Sequence, residues 1–406
     1  MPENPHFLRK PPRTQGTAVC GGTQVVKQDS TVGLAHTSVG GHLRDAAKNW
    51  PDAPALIQSE NRRVLSWGEL DQRADSHACG LLRLGLRRGD KLVIWGGNRL
   101  EWVLLFCAAA RIGVITVSAN AQSRLDELAA LLRSAKAKAL FFMDALPEGT
   151  GGRAPYDGHL EIVRRLWGRG AQGRADLAPE LQFVLYAGAQ ECPFTLPLER
   201  LPLLGGELPP AALEEAAALA DPADTINIQF TSGSTGAPKG VMLSHLNLVN
   251  NSLATGRRLR LSRDDRLCLA VPLFHCFGLS SGIMCCMGCG ACMVLVESFR
   301  SLKVAQTVQN YRCTALHGVP AMFVRLTRRE DLGSYDFSSL RTGIIAGAPV
   351  SAKLFRLAAQ RLHLPELAVA YGQTESSPGC TQSMPEDSLE LRASSIGKPL
   401  DGVEMC

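Results

Sequence analysis

The stretch at residues 230–240, FTSGSTGAPKG, decides what kind of fold carries it. It packs three glycines, four hydroxyl side chains, one proline and one lysine into eleven positions. Glycines let backbone N–H groups close round an anion, and hydroxyls and a lysine add donors and charge, so this composition points to phosphate. The spacing excludes a Walker A loop, which needs a glycine, four further positions and then Gly-Lys-Ser/Thr. Here Lys239 follows Pro238 and precedes Gly240. The flanks differ as well. An apolar strand at 226–231 leads in and a second, GVML at 240–243, leads out before Ser244 caps a helix. A strand-loop-strand cradle would hold an anion with loop amides and hydroxyls, without a helix dipole behind them.

Upstream, residues 40–140 alternate between the two periods. Helical patterns at 43–50, 67–85, 102–112 and 124–134 interleave with strand patterns at 54–57, 91–95, 114–118 and 139–143. Ser66 caps the second helix, with Glu69 placed to complete a capping box. This rhythm predicts an α/β fold with largely parallel sheets covered on both faces. Glycine, proline and arginine thicken between 146 and 176, which reads as an irregular surface insertion, and 202–224 reads as a bridge holding one alanine-rich helix. Downstream, 279–296 contains only apolar and small side chains. Its length passes a crude transmembrane test, but four glycines from Gly278 to Gly290 interrupt the region and no basic flank sets an orientation. A buried helix followed by a strand is the reading, with no transmembrane segment.

Composition excludes several partners. The net charge of +5 in 406 residues is small and spread along the chain, without the basic stripe of a nucleic-acid-binding surface. Thirteen cysteines form no paired framework, which indicates a reducing compartment. Cys285, Cys286, Cys289 and Cys292 have a spacing that invites a metal reading, but cysteine also packs as a small hydrophobe. The expectation is that Cys285, Cys289 and Cys292 share one apolar helix face. Residues 1–36 read as a disordered leader or transit-like segment, with Arg9, Lys10, Arg13 and Lys27 against Glu3 and Asp29.

The glycine-rich stretch, taken with PLFHCFG (272–278), IIAGAP (344–349), AYGQTE (370–375) and SSIGKPLDGVE (394–404), resembles the adenylate-forming superfamily of acyl-CoA synthetases, luciferases and adenylation domains. Within it, INIQFTSGSTGAPKG, LSHLNLVNNS and VAYGQTESSP are most similar to the mitochondrial medium-chain acyl-CoA synthetase branch. The resemblance covers about residue 37 to the end. It implies two layered subdomains and the start of a small β-barrel subdomain, with the cleft between the subdomains.

It also implies a site. Thr231, Ser232, Gly233, Ser234, Thr235, Gly236 and Lys239 would hold the polyphosphate of ATP, and Gly347, Ala348 and Pro349 would let backbone approach adenine and the acyl chain. Tyr371 would stack on adenine beside Gly372 and Gln373, Thr374 would reach the α-phosphate, and Glu375 would bind Mg²⁺. His275 would stand at the acyl entrance. Enzymes of the family that take amino acids place an aspartate where His275 stands, so an uncharged fatty acid is the expected substrate, with coenzyme A as the acceptor. The location implied is the mitochondrial matrix, with cytoplasm as the alternative.

The family continues beyond residue 406 with an aspartate for the ribose, an arginine for the phosphates, a hinge and a small C-terminal domain. The expectation for this chain is therefore an absent small domain, an incomplete coenzyme A site, impaired adenylation and no thioester step. The competing reading is a non-catalytic nucleotide- or acyl-binding isoform that associates with full-length chains.

Overall fold

A computed structural model describes residues 33–144, 158–167, 177–209, 211–231 and 239–405, and the backbone of 15–20 and 23–28. Two large sheets organise the chain. The first has seven strands in the order Lys239–Ser244, Thr225–Thr231, Ile115–Ala119, Lys91–Trp95, Ala139–Met143, Phe183–Ala187 and Leu196–Pro197. All of its pairings are parallel except the Thr225–Thr231 hairpin with Lys239–Ser244. The second has nine strands, with a parallel centre running Glu366–Gly372, Thr342–Ile345, Ala315–Gly318, Arg266–Leu269, Cys292–Leu295 and Pro54–Gln58.

The period-2 alternation of the strands builds the layers. Leu92 and Ile94 point into a core shared with the second sheet, whereas Val93 and Trp95 point to the opposite face. Leu267 and Leu269 join the shared core, and Cys268 and Ala270 the far face. The helices Val39–Asn49, Trp67–Arg83, Leu100–Arg111 and His245–Leu259 fill the shared layer between the sheets. Leu125–Ala135 covers the outer face of the first sheet. Ser301–Tyr311, Pro320–Thr327 and Ala352–Arg361 cover that of the second.

The expected two-layered α/β architecture is therefore what the chain adopts. No closed barrel is present among the described residues. The strands Gly379–Gln382 and Lys398–Pro399 extend the nine-stranded sheet as an antiparallel edge. Within the stretch read as a leader, Gln15–Cys20 pairs with Thr23–Gln28, and Glu404–Met405 adds to that hairpin.

Three local readings need correction. The insertion at 146–176 contains a helix, His159–Trp167, whose Ile162, Val163 and Leu166 bury against the seven-stranded sheet. The bridge at 202–224 opens on a second short helix, Leu201–Gly205, packed on Trp67–Arg83. The cysteines do not share one helix face: Cys285, Cys286 and Cys289 lie on a short helix, and Cys292 opens the next strand. All four are buried, and burial pushes the Cys289 and Cys292 thiols up to about 12.

Candidate functional site

In parallel sheets the loops that leave the carboxyl ends of neighbouring strands form a crevice. Here Arg266–Leu269, Ala315–Gly318, Thr342–Ile345 and Glu366–Gly372 all deliver their following residues to one cavity of about 340 Å³. It gathers His275, Gly347, Tyr371, Gly372, Gln373 and Thr374, six residues of the sequence-derived set. Gly347 has φ +84°, and a Cβ there would press on Val319 Cγ1 at 3.2 Å. A side chain at Gly372 would collide with the Pro378 carbonyl. Both glycines are thus required by backbone geometry before any ligand is considered.

The turn Thr374–Ser376 is tied to itself and to its neighbours. Gln373 N donates to Pro378 O at 3.0 Å, and Ser376 Oγ donates to Gln373 O and Pro378 O. Asn251 then brackets the outgoing strand: its Nδ2 donates to Gly379 O at 2.8 Å, and its Oδ1 accepts from Gly379 N at 3.1 Å. Cys276 Sγ lies 3.6 Å from Thr374 Oγ1 and donates to it. The strand that begins at Lys239 packs beside this turn. Lys239 is exposed and stands across the hairpin from Thr231.

The approach to His275 is also fixed. Asn98 Nδ2 donates to Val271 O at 2.9 Å, and Asn98 Oδ1 accepts from Leu273 N at 3.0 Å. His275 faces the cleft with its ring against Phe274, and crowding by protein lowers its pKa below the usual histidine value. Behind it, Phe277–Met284 is a π-helix, a geometry that frees carbonyls from the regular ladder and recurs at functional sites. His317, fully buried on the next strand, donates from Nε2 to Ser281 O and accepts Ile344 N–H at Nδ1. Its ring stacks on Phe277 at 5.8 Å, and desolvation pushes its pKa down to about 4.

Other members of the expected set fall elsewhere. Ala348, Pro349 and Glu375 are exposed and lie outside the cavity lining, as do Thr231 and Lys239. Ser232, Gly233, Ser234, Thr235 and Gly236 lie outside the described residues. A larger cavity, about 770 Å³, is lined by a different set of residues, among them Gln58, Arg63, Arg99 and Glu297. Its charged walls are largely spent on one another, through Arg99–Glu297 and Arg63–Glu101, and it holds none of the sequence motifs.

A family model described as AMP-binding enzyme matches residues 43–406, which hold all of these motifs. The chain belongs to the AMP-binding enzyme family. Among its relatives, mouse medium-chain acyl-CoA ligase ACSF2, mitochondrial, is 36% identical over 95% of this chain and 63% of its own length. Acyl-CoA ligase SID4 of Ajellomyces capsulatus is 36% identical over 93% of this chain and 62% of its own. This chain thus spans somewhat under two thirds of those relatives. Among solved structures, anthranilate CoA ligase AuaEII in complex with anthranoyl-AMP superposes with a TM-score of 0.77 at 21% identity, covering 90% of this chain and 65% of that one. The inhibitor-bound N-terminal domain of FACL13 from Mycobacterium tuberculosis gives 0.73 at 23%, covering 89% and 82%. Those two likenesses bear on the fold.

Asn98, Asn251, His317 and Gln382 were not singled out from sequence. Asn251 had a faint signal, a polar pair with Asn250 between Val249 and Leu253 in its helix. The others act across 12 or more residues of chain, and nothing local marks them.

Proposed function

We propose that this chain activates a fatty carboxylic acid with ATP, forming an acyl-adenylate as the first half of an acyl-CoA ligase reaction. The observation that carries the reading is the meeting of Tyr371, Thr374, Gly347 and His275 in one cavity, beside the strand that starts at Lys239. A medium-chain preference and a mitochondrial location belong to the same reading. The name of the mouse relative supports both. No helix among the described residues is long and apolar enough to cross a membrane.

The residues fit the groups this chemistry requires. Gly347 and Gly372 leave the mouth of the cavity without side-chain bulk, and Tyr371 is 47% exposed there, a free aromatic face for a purine. Among the described residues no cluster of three or more His, Cys, Asp or Glu could hold a metal. One exposed carboxylate, Glu375, suits an ion such as Mg²⁺ that keeps waters and takes phosphate oxygens for most of its shell. When bound, MgATP supplies an electrophilic α-phosphorus and a neutralised pyrophosphate leaving group.

The protein's part is positioning and charge. A substrate carboxylate oxygen forms the new bond to phosphorus, the bond to the β-phosphate oxygen breaks, and pyrophosphate leaves. Lys239 offsets negative charge on the departing oxygens. Thr374 accepts from Cys276 and so keeps its own O–H free to donate to the α-phosphate. His275, held mainly neutral by its surroundings, lines the acyl path without adding charge.

The test is pyrophosphate release and adenylate formation from ATP, Mg²⁺ and octanoic or decanoic acid, with thioester formation scored separately after coenzyme A is added. Adenylate made by residues 1–406 and lost in Lys239→Ala and Glu375→Ala supports the reading. Folded protein that makes none overturns it and leaves nucleotide or acyl binding as the function.

A further inference from the structure

The cavity has two ends that differ in burial. At its mouth Tyr371, Gly372 and Gln373 are exposed. At its floor Thr255, Val271, Ile344, Leu400 and Gln382 are each 2% exposed or less. The floor is apolar apart from Thr255, Thr381 and Gln382, and the Thr381 hydroxyl is already spent on Ile396 O. The Gln382 carboxamide is the anomaly: its Nε2 is buried and has no hydrogen-bond partner. Leaving such a donor unmade inside a protein is destabilising, and buried polar groups in folded chains are nearly always satisfied.

Gln382 is not there by slack in the backbone. It sits in register opposite Ala370, another cavity residue, with Lys398 on its other side. Its carbonyl accepts from Arg258 Nη1 at 2.8 Å, and the same guanidinium reaches Pro399 O at 2.9 Å. The strand is pinned, and paired residues on antiparallel strands present their side chains to the same face. A plain alkyl tail reaching this floor would offer the amide nothing.

We propose, building on the adenylate-forming reading above, that the substrate is an oxygenated fatty acid, whose chain carries a hydroxyl or keto oxygen that pairs with the Gln382 carboxamide at the floor of the cavity. The adenylate end lies at the mouth, so the oxygen belongs on the tail and not beside the carboxyl group. A hydroxyl suits the site best because it both donates and accepts, and it satisfies the amide in either of its two flipped orientations.

The experiment uses stable mimics of the adenylate. Binding to residues 1–406 is measured by calorimetry for octanoyl-sulfamoyl adenosine and for its counterparts hydroxylated at carbon 4, 6 or 8. One hydroxylated counterpart should bind about tenfold more tightly than the plain octanoyl compound, the fold-change of one hydrogen bond of ~1.4 kcal/mol. Gln382→Met, close in volume and without the amide, should bring the two compounds level.

Equal binding of all four compounds by the parent overturns the proposal and leaves the adenylate reading standing, with an ordered water on Gln382 as the explanation. A preference that survives in Gln382→Met overturns it too, since another group then supplies the contact. Binding of none of them by folded protein overturns the adenylate reading, and the proposal with it. If the variant does not fold, equal binding of the four compounds by the parent still overturns the proposal.

Discussion

The rim of the cavity and the scaffold behind it are built on opposite rules. The rim residues Tyr371 and Gln373, and Lys239 and Glu375 just beyond the lining, are exposed. The scaffold residues Asn98, Asn251, Arg258 and His317 are largely buried, and each bonds to backbone across a long stretch of sequence. The rim carries the proposed chemistry and contributes little to stability. The scaffold does the reverse. The difference predicts that the two sets separate cleanly by experiment.

The largest effect should come from the rim. Removing a well-placed electrostatic group from a transition state commonly costs about 10²–10³ in rate. Lys239→Ala and Glu375→Ala should each lower adenylate formation by about that factor, while their thermal midpoints stay with the parent's. A fall in melting temperature matching the loss of activity would break the comparison, because the rim would then be structural.

The scaffold should show the converse. Arg258→Met strips donors from the carbonyls of Gln382 and Pro399, both buried. Orphaned buried acceptors make this a loss of about 3 kcal/mol in unfolding free energy, read as a shift in the denaturant midpoint. The lysine and glutamate variants should show no such shift.

Acid sharpens the same contrast. His245 and His317 are buried and neutral, and burial lowers both pKa values to about 4. His245 Nδ1 accepts Val39 N–H at 2.9 Å and His317 Nδ1 accepts Ile344 N–H, so a proton at either nitrogen would break the bond. The unfolded chain takes these protons first, near pH 6.5. The stabilisation is therefore complete above about pH 6.5 and is lost as pH falls from there toward 4, by up to ~1.4 kcal/mol per pH unit for each histidine. Between pH 7 and pH 5, His317→Gln should remove about 2 kcal/mol of the parent's pH-dependent loss. An unchanged slope would mean that His317 takes up its proton over the same pH range in the fold as in the unfolded chain.

These two rules also explain what the sequence revealed. The Ser66–Glu69 capping box and the Ser244 cap were legible because a cap closes within three residues. The strands at 91–95 and 139–143 were legible because each is a short apolar run bounded by polar residues or a helix. The rim was legible as motifs, since Tyr371, Thr374 and Glu375 fall within five positions. The π-helix at Phe277–Met284 was read as ordinary helix, because an i→i+5 ladder leaves no periodic mark in a run of small apolar residues. Its stay, His317, lies on a different strand. Gln382 was invisible for the same reason: its register opposite Ala370 and its empty amide exist only after the sheet forms.

The smallest effect lies where rim and scaffold touch. Cys276 is 7% exposed, yet its thiol reaches Thr374 Oγ1 on the rim. A thiol is a weak donor, and burial raises its pKa so that it stays protonated and able to donate. Cys276→Ala should lower the adenylation rate only by about three- to fivefold, equivalent to ~0.5–1 kcal/mol, with the KM for ATP and the melting temperature unchanged. Cys276→Ser, which keeps a donor at that place, should recover most of the rate. If alanine and serine were equally slow, the thiol would matter through its volume, and Cys276 would belong to the scaffold. If neither slowed the reaction, the Thr374 hydroxyl would be oriented without it, and the boundary between the two sets would run between these two side chains.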